Sequence, residues 1–256
     1  MAAPSPRHGL ARVLSRRGVC SRSQAAGWIV EGRVSVDGCV VRDPEHPMRE
    51  GAPGIAVDGV QLDAPVWRYL ALNKPRGLVT TTADERGRDT VYRCFDGAAL
   101  GWIAPVGRLD KASEGLLLFS NDPAWAAAVT DPSRGPRKTY HVQVGVLPTP
   151  ELLQRLVEGI DEAGERLRAR EATLLRVGGR NAWLAITLDE GRNRHIRRLL
   201  QALDVPVLRL VRVAIGVLAL GDLAKGAWRE LTAGEAAALA AVSADAAPDT
   251  GRARSP

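Results

Sequence analysis

The stretch GRLDKASEGLLLFSND, residues 107–122, decides how the rest of the chain is read. Asp110 stands beside Arg108 at the mouth of an apolar run. GLLLFS, residues 115–120, is continuous in its apolar character, as expected of a strand buried on both faces. Asn121 or Asp122 followed by Pro123 then opens a helix in the favoured cap-then-proline order. The four-residue spacing of Asp110 and Glu114 fits a same-face helical pair of carboxylates, such as glycoside hydrolysis uses. Gly115 and the strand pattern after it argue against a helix here. An isolated Asp before a strand is most often a turn residue, so its meaning depends on what surrounds it.

Upstream, residues 7–63 read as a small basic unit. HGLARVLSRRGV predicts a helix with Leu10, Val13 and Leu14 on one face and Arg12, Arg16 and Arg17 on the other. Ser21 or Ser23 caps a second helix, RSQAAGWIVEG, which also carries Arg22 and which Gly32 closes. RVSVDGCVV and IAVDGVQL each alternate about an Asp-Gly turn, the signal of a hairpin. Ala64-Pro65 is a break, and the pattern then changes. YLALNKPRG predicts a strand and a Pro-Gly turn. YHVQVGV alternates strictly, with Tyr140, Val142, Val144 and Val146 on one face. EATLLRV, NAWLAITLDE, VLRLVRV and VLAL are further strands. Thr149-Pro150 opens a helix over ELLQRLVEG, RNRHIRRLLQAL is a basic amphipathic helix with Ile196, Leu199, Leu200 and Leu203 inward, and GEAAALAAV is a terminal one. Strands outnumber helices without strict alternation, which predicts α+β and not a doubly wound parallel sheet. Residues 67–242 form the larger domain, and 243–256 read as a disordered tail.

Composition narrows the function classes. The chain has 256 residues, 45% hydrophobic and 25% charged, with a net charge of +6. Of its 35 basic residues only Lys74, Lys111, Lys138 and Lys225 are lysines. A positive balance dominated by planar guanidiniums fits a polyanionic partner. Genome-wide base composition is an equal source of the Arg bias. Cys20, Cys39 and Cys94 are scattered, as are the four histidines, so neither disulfides nor a metal site are expected. No Gly-rich phosphate loop is present, and no nucleotide cofactor is expected. VPVLRLVRVAIGVLAL is interrupted by Arg209 and Arg212, which excludes it as a membrane span. MAAPSPRHG lacks an apolar secretory core, so the expectation is a reducing cytoplasm.

SRSQAAGWIVEGRVSVDGCVV resembles the S4 RNA-binding module. GRLDKASEGLLLFSND resembles the catalytic signature of pseudouridine synthases of the RsuA/RluB type, which modify ribosomal RNA. LNKPRG, RKTYHVQV, EGRNRHIRRL and VRVAIGVLAL with LAKGAWRELT resemble further segments of that family, in the family's order. The resemblance covers roughly residues 7–235. It implies an S4 domain of two helices plus a hairpin, followed by a catalytic domain with a mixed, mainly antiparallel sheet and a central cleft. It implies no cofactor, ribosomal RNA as partner, and a monomer. The family's catalytic carboxylate falls on Asp110, its charge partner on Arg197 and its base-stacking tyrosine on Tyr140. Arg108 is expected as a wedge beside the flipped base, and Lys74 and Arg194 as RNA phosphate contacts. Arg12, Arg16, Arg17 and Arg22 are the S4 surface for RNA. Ser113 and Ser120 stand where the family has Thr, Pro123 replaces Gly and Leu199 replaces Met. His195 replaces an uncharged Gln with a group that titrates near neutrality. Which uridine is modified, and in which subunit's RNA, is not written in these motifs.

The chemistry can be stated from the substrate. Turning uridine into pseudouridine breaks C1′–N1, rotates the base and forms C1′–C5, which needs a carboxylate near the sugar and no redox group or donor. Burial beside GLLLFS is expected to favour a neutral Asp110, and a nearby arginine to restore its charge. A non-catalytic S4-containing assembly factor is the competing expectation. Such a factor has no need of Asp110, Tyr140 and Arg197 together.

Overall fold

The computed structural model describes residues 7–49, 51–82, 84 and 86–241; the tail expected over 243–256 lies outside the described residues. In the N-terminal part the elements are β1 (Arg7–Gly9), α1 (Leu10–Arg16), α2 (Arg22–Val30), β2 (Val34–Val36), β3 (Cys39–Val40), β4 (Pro47–Arg49), β5 (Ile55–Val57) and β6 (Val60–Gln61). Ser21 caps α2 in a reciprocal capping box with Gln24. Strands β3-β2-β5-β6 form one antiparallel sheet, and β1 pairs with β4. Both expected Asp-Gly turns are present. Asp37 and Gly38 (φ 49° and 81°) and Asp58 and Gly59 (φ 50° and 79°) hold the left-handed conformations that a tight hairpin requires. Leu10, Val13 and Leu14 of α1 pack with Ile29, Val34 and Ile55 into a closed apolar core.

The following elements are β7 (Tyr69–Lys74), a 3₁₀ turn (Val91–Phe95), β8 (Ala104–Val106), β9 (Glu114–Ser120), α3 (Pro123–Thr130), β10 (Lys138–Val144) and α4 (Pro150–Glu158). Then come β11 (Ile160–Glu162), β12 (Glu165–Leu167), β13 (Glu171–Val177), β14 (Ala182–Leu188), α5 (His195–Gln201), β15 (Val207–Ile215), β16 (Leu218–Ala219), β17 (Trp228–Glu230) and α6 (Ala233–Ala241). A nine-stranded sheet runs in the order β13-β14-β10-β15-β9-β7-β17, with β16 and β8 as side branches. The β15–β9 pair is parallel, while β13–β14, β14–β10, β10–β15 and β17–β7 are antiparallel. This is the mixed, mainly antiparallel sheet of an α+β fold. Every residue of β9 is buried, as the apolar run 115–120 predicts, and Glu114 at its start is buried with it. β10 and β14 bury alternate residues (Tyr140, Val142, Val144; Leu184, Ile186, Leu188) and leave the opposite face partly open.

The chain divides into two compact units, but not by one cut near Ala64-Pro65. The first runs to Tyr69 and also takes in Gly97–Ala104 and Phe119–Ala126. Side-chain hydrogen bonds explain the last of these. The Arg68 N–H donates to Asn121 Oδ1 (2.7 Å), Ser120 Oγ donates to the Arg68 carbonyl (2.8 Å), and the Tyr69 hydroxyl donates to Asp122 Oδ2 (2.9 Å). Asp122 also caps α3, accepting from the N–H groups of Ala124 and Trp125. The second unit comprises Leu70–Asp96, Pro105–Leu118 and the chain from Ala127 onward. Among the described residues no helix is long and apolar enough to cross a membrane.

Candidate active site

Asp110 lies in the loop between β8 and β9, within the second unit. Gly107 (φ 77°) turns the chain out of β8. A turn then closes with the Ser113 N–H donating to the Asp110 carbonyl at 2.9 Å. Residues of the LNKPRG segment and its continuation hold this loop from below. Lys74 is wholly buried, and its Nζ donates to the carbonyls of Asp110 (3.2 Å), Ser113 (2.9 Å) and Pro75 (3.1 Å). The Gly77 N–H donates to the Lys111 carbonyl at 2.8 Å. Thr80 Oγ1 donates to the Leu109 carbonyl at 2.7 Å. The backbone around Asp110 is therefore fixed by carbonyl acceptors and donors of one neighbouring segment, which is how a reactive group is held in place without tying up its own oxygens. Burial pushes the Lys74 ammonium down to about 8, against the opposing pull of Asp110.

The expectation that Lys74 reaches RNA phosphate does not survive this geometry, because a fully covered ammonium bonded to three carbonyls has nothing to offer a phosphate. The charge partners also differ in detail from the expectation. The ion pair that Asp110 forms among the described residues is with Arg194, whose Nη1 is 3.9 Å from Asp110 Oδ2, and the Asp110 side chain is 34% exposed. Arg197 instead donates from Nη2 to the Ala112 carbonyl at 3.1 Å, gripping the far side of the same turn. Burial lowers the Arg197 pKa, Arg194 adds to that, and Asp110 opposes it. An arginine keeps its proton regardless. Arg194 reaches Asp110 because it is the N-cap of α5 in a left-handed conformation (φ 48°), one residue outside the helix proper. Arg194, Arg197 and Gln201 line a cleft of about 350 Å³ together with the Asp204–Val207 turn.

Tyr140 stands opposite Arg212 of β15, and Arg212 opposite Gly115 of β9, so one cross-strand row joins Tyr140 to the strand that leaves the Asp110 loop. Two strand spacings put Tyr140 about 10 Å from Gly115. A Cβ at Gly115 would lie 2.3 Å from the Arg212 carbonyl, so this close parallel pairing needs glycine. Tyr140 is 8% exposed and as it stands has little ring surface to offer a base. Arg108 is exposed, in the same loop as Asp110, with no ion pair among the described residues. His195 is 3% exposed, and neither ring nitrogen has a partner in hydrogen-bonding geometry. The Arg168 backbone approaches the ring outside strict hydrogen-bond geometry, and with Glu190 it opposes the effect of burial. Burial lowers the His195 pKa and so favours the neutral ring.

In the first unit, Arg12 is exposed and Arg22 pairs with Glu45 at 3.1 Å on the surface. Arg16 donates to His8 Nε2 at 3.0 Å, and Arg17 donates to the Ala52 carbonyl. Two groups have structural roles that the sequence does not assign: Arg212, which interrupts an apolar run, and Glu114, which is spaced four residues from Asp110. Arg212 is buried and donates from Nε to the Leu116 carbonyl at 2.7 Å. Glu114 binds Arg209 through two bonds of 3.1 Å and Lys225 at 2.5 Å. Their sequence signal was a charge placed inside otherwise apolar strand patterns.

Comparisons with known proteins give the class of this arrangement, a basic N-terminal unit followed by a mixed sheet: an RNA-modifying enzyme. Residues 68–202 match the RNA pseudouridylate synthase family model and residues 9–52 match the S4 domain. An uncharacterized RNA pseudouridine synthase of Mycobacterium leprae (strain TN) is 38% identical over 228 residues, covering 87% of this chain and 88% of that one. Ribosomal large subunit pseudouridine synthase B of Bacillus subtilis (strain 168) is 34% identical over 235 residues, covering 91% and 96%. A crystal structure of a pseudouridylate synthase aligns with a TM-score of 0.63 at 28% identity, covering 92% of this chain and all of that one. The chain belongs to the RNA pseudouridine synthase family: it is an isomerase with an N-terminal S4 domain, acting on RNA.

Proposed function

We propose that the substrate is a uridine of ribosomal RNA and that Asp110 is the carboxylate that acts on it. The reading rests on one observation above the rest. Asp110 is the acidic side chain of a loop whose backbone is fastened by Lys74, Gly77, Thr80 and Arg197, while its own carboxylate stays one-third exposed beside Arg194. A carboxylate so held can meet the sugar while the C1′–N1 bond breaks and C1′–C5 forms. The C5 proton is lost and N1 gains one, so the reaction is an isomerisation with no co-reactant.

Extruding the base costs a few kcal/mol. In this reading exposed Arg108 fills the gap it leaves, and Tyr140 takes the loosened uracil once RNA binding uncovers its ring. Arg194 and Arg197 keep the site cationic, with Arg194 also at the RNA phosphate. Residues 7–63, with Arg12, Arg16, Arg17 and Arg22, dock the RNA, and residues 67–242 perform the chemistry. The protein acts as a monomer in the cytoplasm. The rRNA assignment is supported by the Bacillus subtilis relative, a ribosomal large subunit pseudouridine synthase.

The test is to incubate the protein with unmodified small-subunit and large-subunit rRNA transcripts and map pseudouridine chemically. A single new site in one of them is the expected result. RNA binding with no pseudouridine in either would overturn the reading in favour of a non-catalytic assembly factor.

A further inference from the structure

The face of the sheet opposite Tyr140 carries a row of side chains that the site above does not use. Arg209 of β15 stands opposite Gln143 of β10, Gln143 opposite Trp183 of β14, and Trp183 opposite Arg176 of β13. Four adjacent strands thus set Arg209, Gln143, Trp183 and Arg176 side by side. The Arg176 guanidinium lies 5.1 Å from the Trp183 ring centre and that of Arg209 lies 5.5 Å from it. Arg176 approaches from the β13 side and Arg209 from the β15 side. His141, Leu175, Val211 and Val213 complete a shallow cleft of about 400 Å³ around them, a volume at the small-ligand end of natural pockets.

Charge on this face is unbalanced. Around Trp183 the cations Arg176, Arg209 and Lys225 outnumber the carboxylates among the described residues: Glu114 is buried and already bound by Arg209 and Lys225, and Glu171 lies on the same face opposite Thr187, two alternate positions along β14 from Trp183. Arg176 is exposed on the edge strand and has no ion pair among the described residues. A flat sheet face with an aromatic ring, planar guanidiniums and net positive charge is the surface on which unpaired bases stack while phosphates meet the cations. A docked protein strand at this edge would instead call for acidic groups matched to each cation, and nothing on the face requires that spacing. Position adds to the case. Glu114 follows Asp110 by four residues, a span of at most about 14 Å of extended chain, so its Arg209 and Lys225 partners lie within reach of an RNA engaged at Asp110.

We propose that the Arg176–Trp183–Arg209 row is a second RNA contact, a stacking platform for single-stranded nucleotides flanking the modified uridine. This rests on the reading of the protein as an RNA-modifying enzyme but not on Asp110 being catalytic. The platform adds affinity and selects substrates with an unpaired flank; it takes no part in bond making.

The test uses the full chain with a fluorescent oligouridylate of about 12 nucleotides, within the usual site size of single-strand binders. Affinity is measured from 50 to 200 mM KCl for wild type, Arg176→Ala, Arg176→Lys and Arg176→Glu, together with ultraviolet crosslinking and peptide mapping. Melting temperatures confirm that the variants fold. The expected results are a crosslink within residues 171–188 and roughly 5-fold weaker binding for Arg176→Ala. The salt slope should fall by about 0.7, as one lost phosphate contact on a single strand gives. Arg176→Lys should recover the slope but not all the affinity, since the charge returns without the stacking plane. Unchanged affinity in Arg176→Glu, or absence of the crosslink, overturns the proposal. So does a concentration-dependent dimer that Arg176→Glu abolishes while RNA binding is unaffected, because the face is then a protein contact. Because the readout is binding, a wild type that binds RNA but forms no pseudouridine defeats the functional reading and leaves this one standing.

Discussion

Asp110 and Glu114 are carboxylates four residues apart, one in the loop before β9 and one at its first position, and their surroundings are opposite. The Glu114 side chain is 4% exposed and receives three short bonds from Arg209 and Lys225. The Asp110 side chain is 34% exposed, with one ion pair, of 3.9 Å, among the described residues. At Glu114 the side chain is fixed and the neighbouring cations depend on it. At Asp110 the backbone is fixed, by Lys74 and its neighbours, and the side chain stays available. A carboxylate bonded on every oxygen serves structure, and one left open on an immobilised backbone is free for the reactive role proposed for Asp110. Glu114, bonded on both oxygens, is therefore not free to serve as the second carboxylate of a paired-carboxylate hydrolysis.

The largest effect that sharpens this contrast is expected at Asp110. Asp110→Asn should lower pseudouridine formation by at least about 10³-fold, within the range for a lost acid–base or nucleophilic group, while RNA affinity stays within about 2-fold. Its melting temperature should stay close to wild type, since an exposed pair at 3.9 Å contributes at most about 1 kcal/mol.

Next comes Lys74→Met, which removes the donor shared by three carbonyls and leaves them buried without it. A loss of about 3 kcal/mol is expected in denaturant unfolding, with reduced activity because the Asp110 loop loosens. Its pH dependence has a definite sign. The folded Lys74 ionises near 8 and the unfolded one near its ordinary value, so between them the unfolded chain holds more protons. The stability that wild type has over Lys74→Met should therefore grow as pH rises from about 8 to about 10.5. A gap that narrows over that window contradicts the buried, carbonyl-bound lysine.

Glu114→Gln should cost about 2 kcal/mol, less than a wholly buried pair because Arg209 and Lys225 are half exposed and can turn to water. Differential scanning calorimetry should show a drop of about 4–8 °C for a domain of this size. The smallest effect is expected at Arg194. Arg194→Ala should slow single-turnover catalysis by no more than about 5-fold, the scale of an exposed ion pair, whereas Arg197→Ala, which releases the Ala112 carbonyl, should do more.

What was legible in the sequence was local. The Asp-Gly hairpin turns, the Ser21 cap, the buried run of β9 and the inward Ile196, Leu199 and Leu200 of α5 each follow from residues within a few positions of one another. The motif order carried the family and the S4 module. What was not legible depended on chain distance. Lys74 looked like a surface cation in a Pro-Gly turn, and two of its three acceptors come from the Asp110 loop, brought under it by the sheet. The partners of Glu114 lie beyond β14, and helix periodicity gives no warning that Arg194 leaves the helix to meet Asp110. Neither does any pattern in 97–104 or 119–126 announce that these segments join the first compact unit. Trp183 read as one more residue of an alternating strand, and only the register of four strands shows it between two guanidiniums.

The contrast between the two carboxylates is tested most directly by single-turnover pseudouridine formation on one rRNA transcript, comparing Asp110→Asn and Glu114→Gln below the melting temperatures of both. The account predicts no detectable product from Asp110→Asn in a folded, RNA-binding protein, and a rate within about 10-fold of wild type from Glu114→Gln, the scale of a modest shift in loop support. Product from Asp110→Asn, or none from a folded Glu114→Gln, would contradict it.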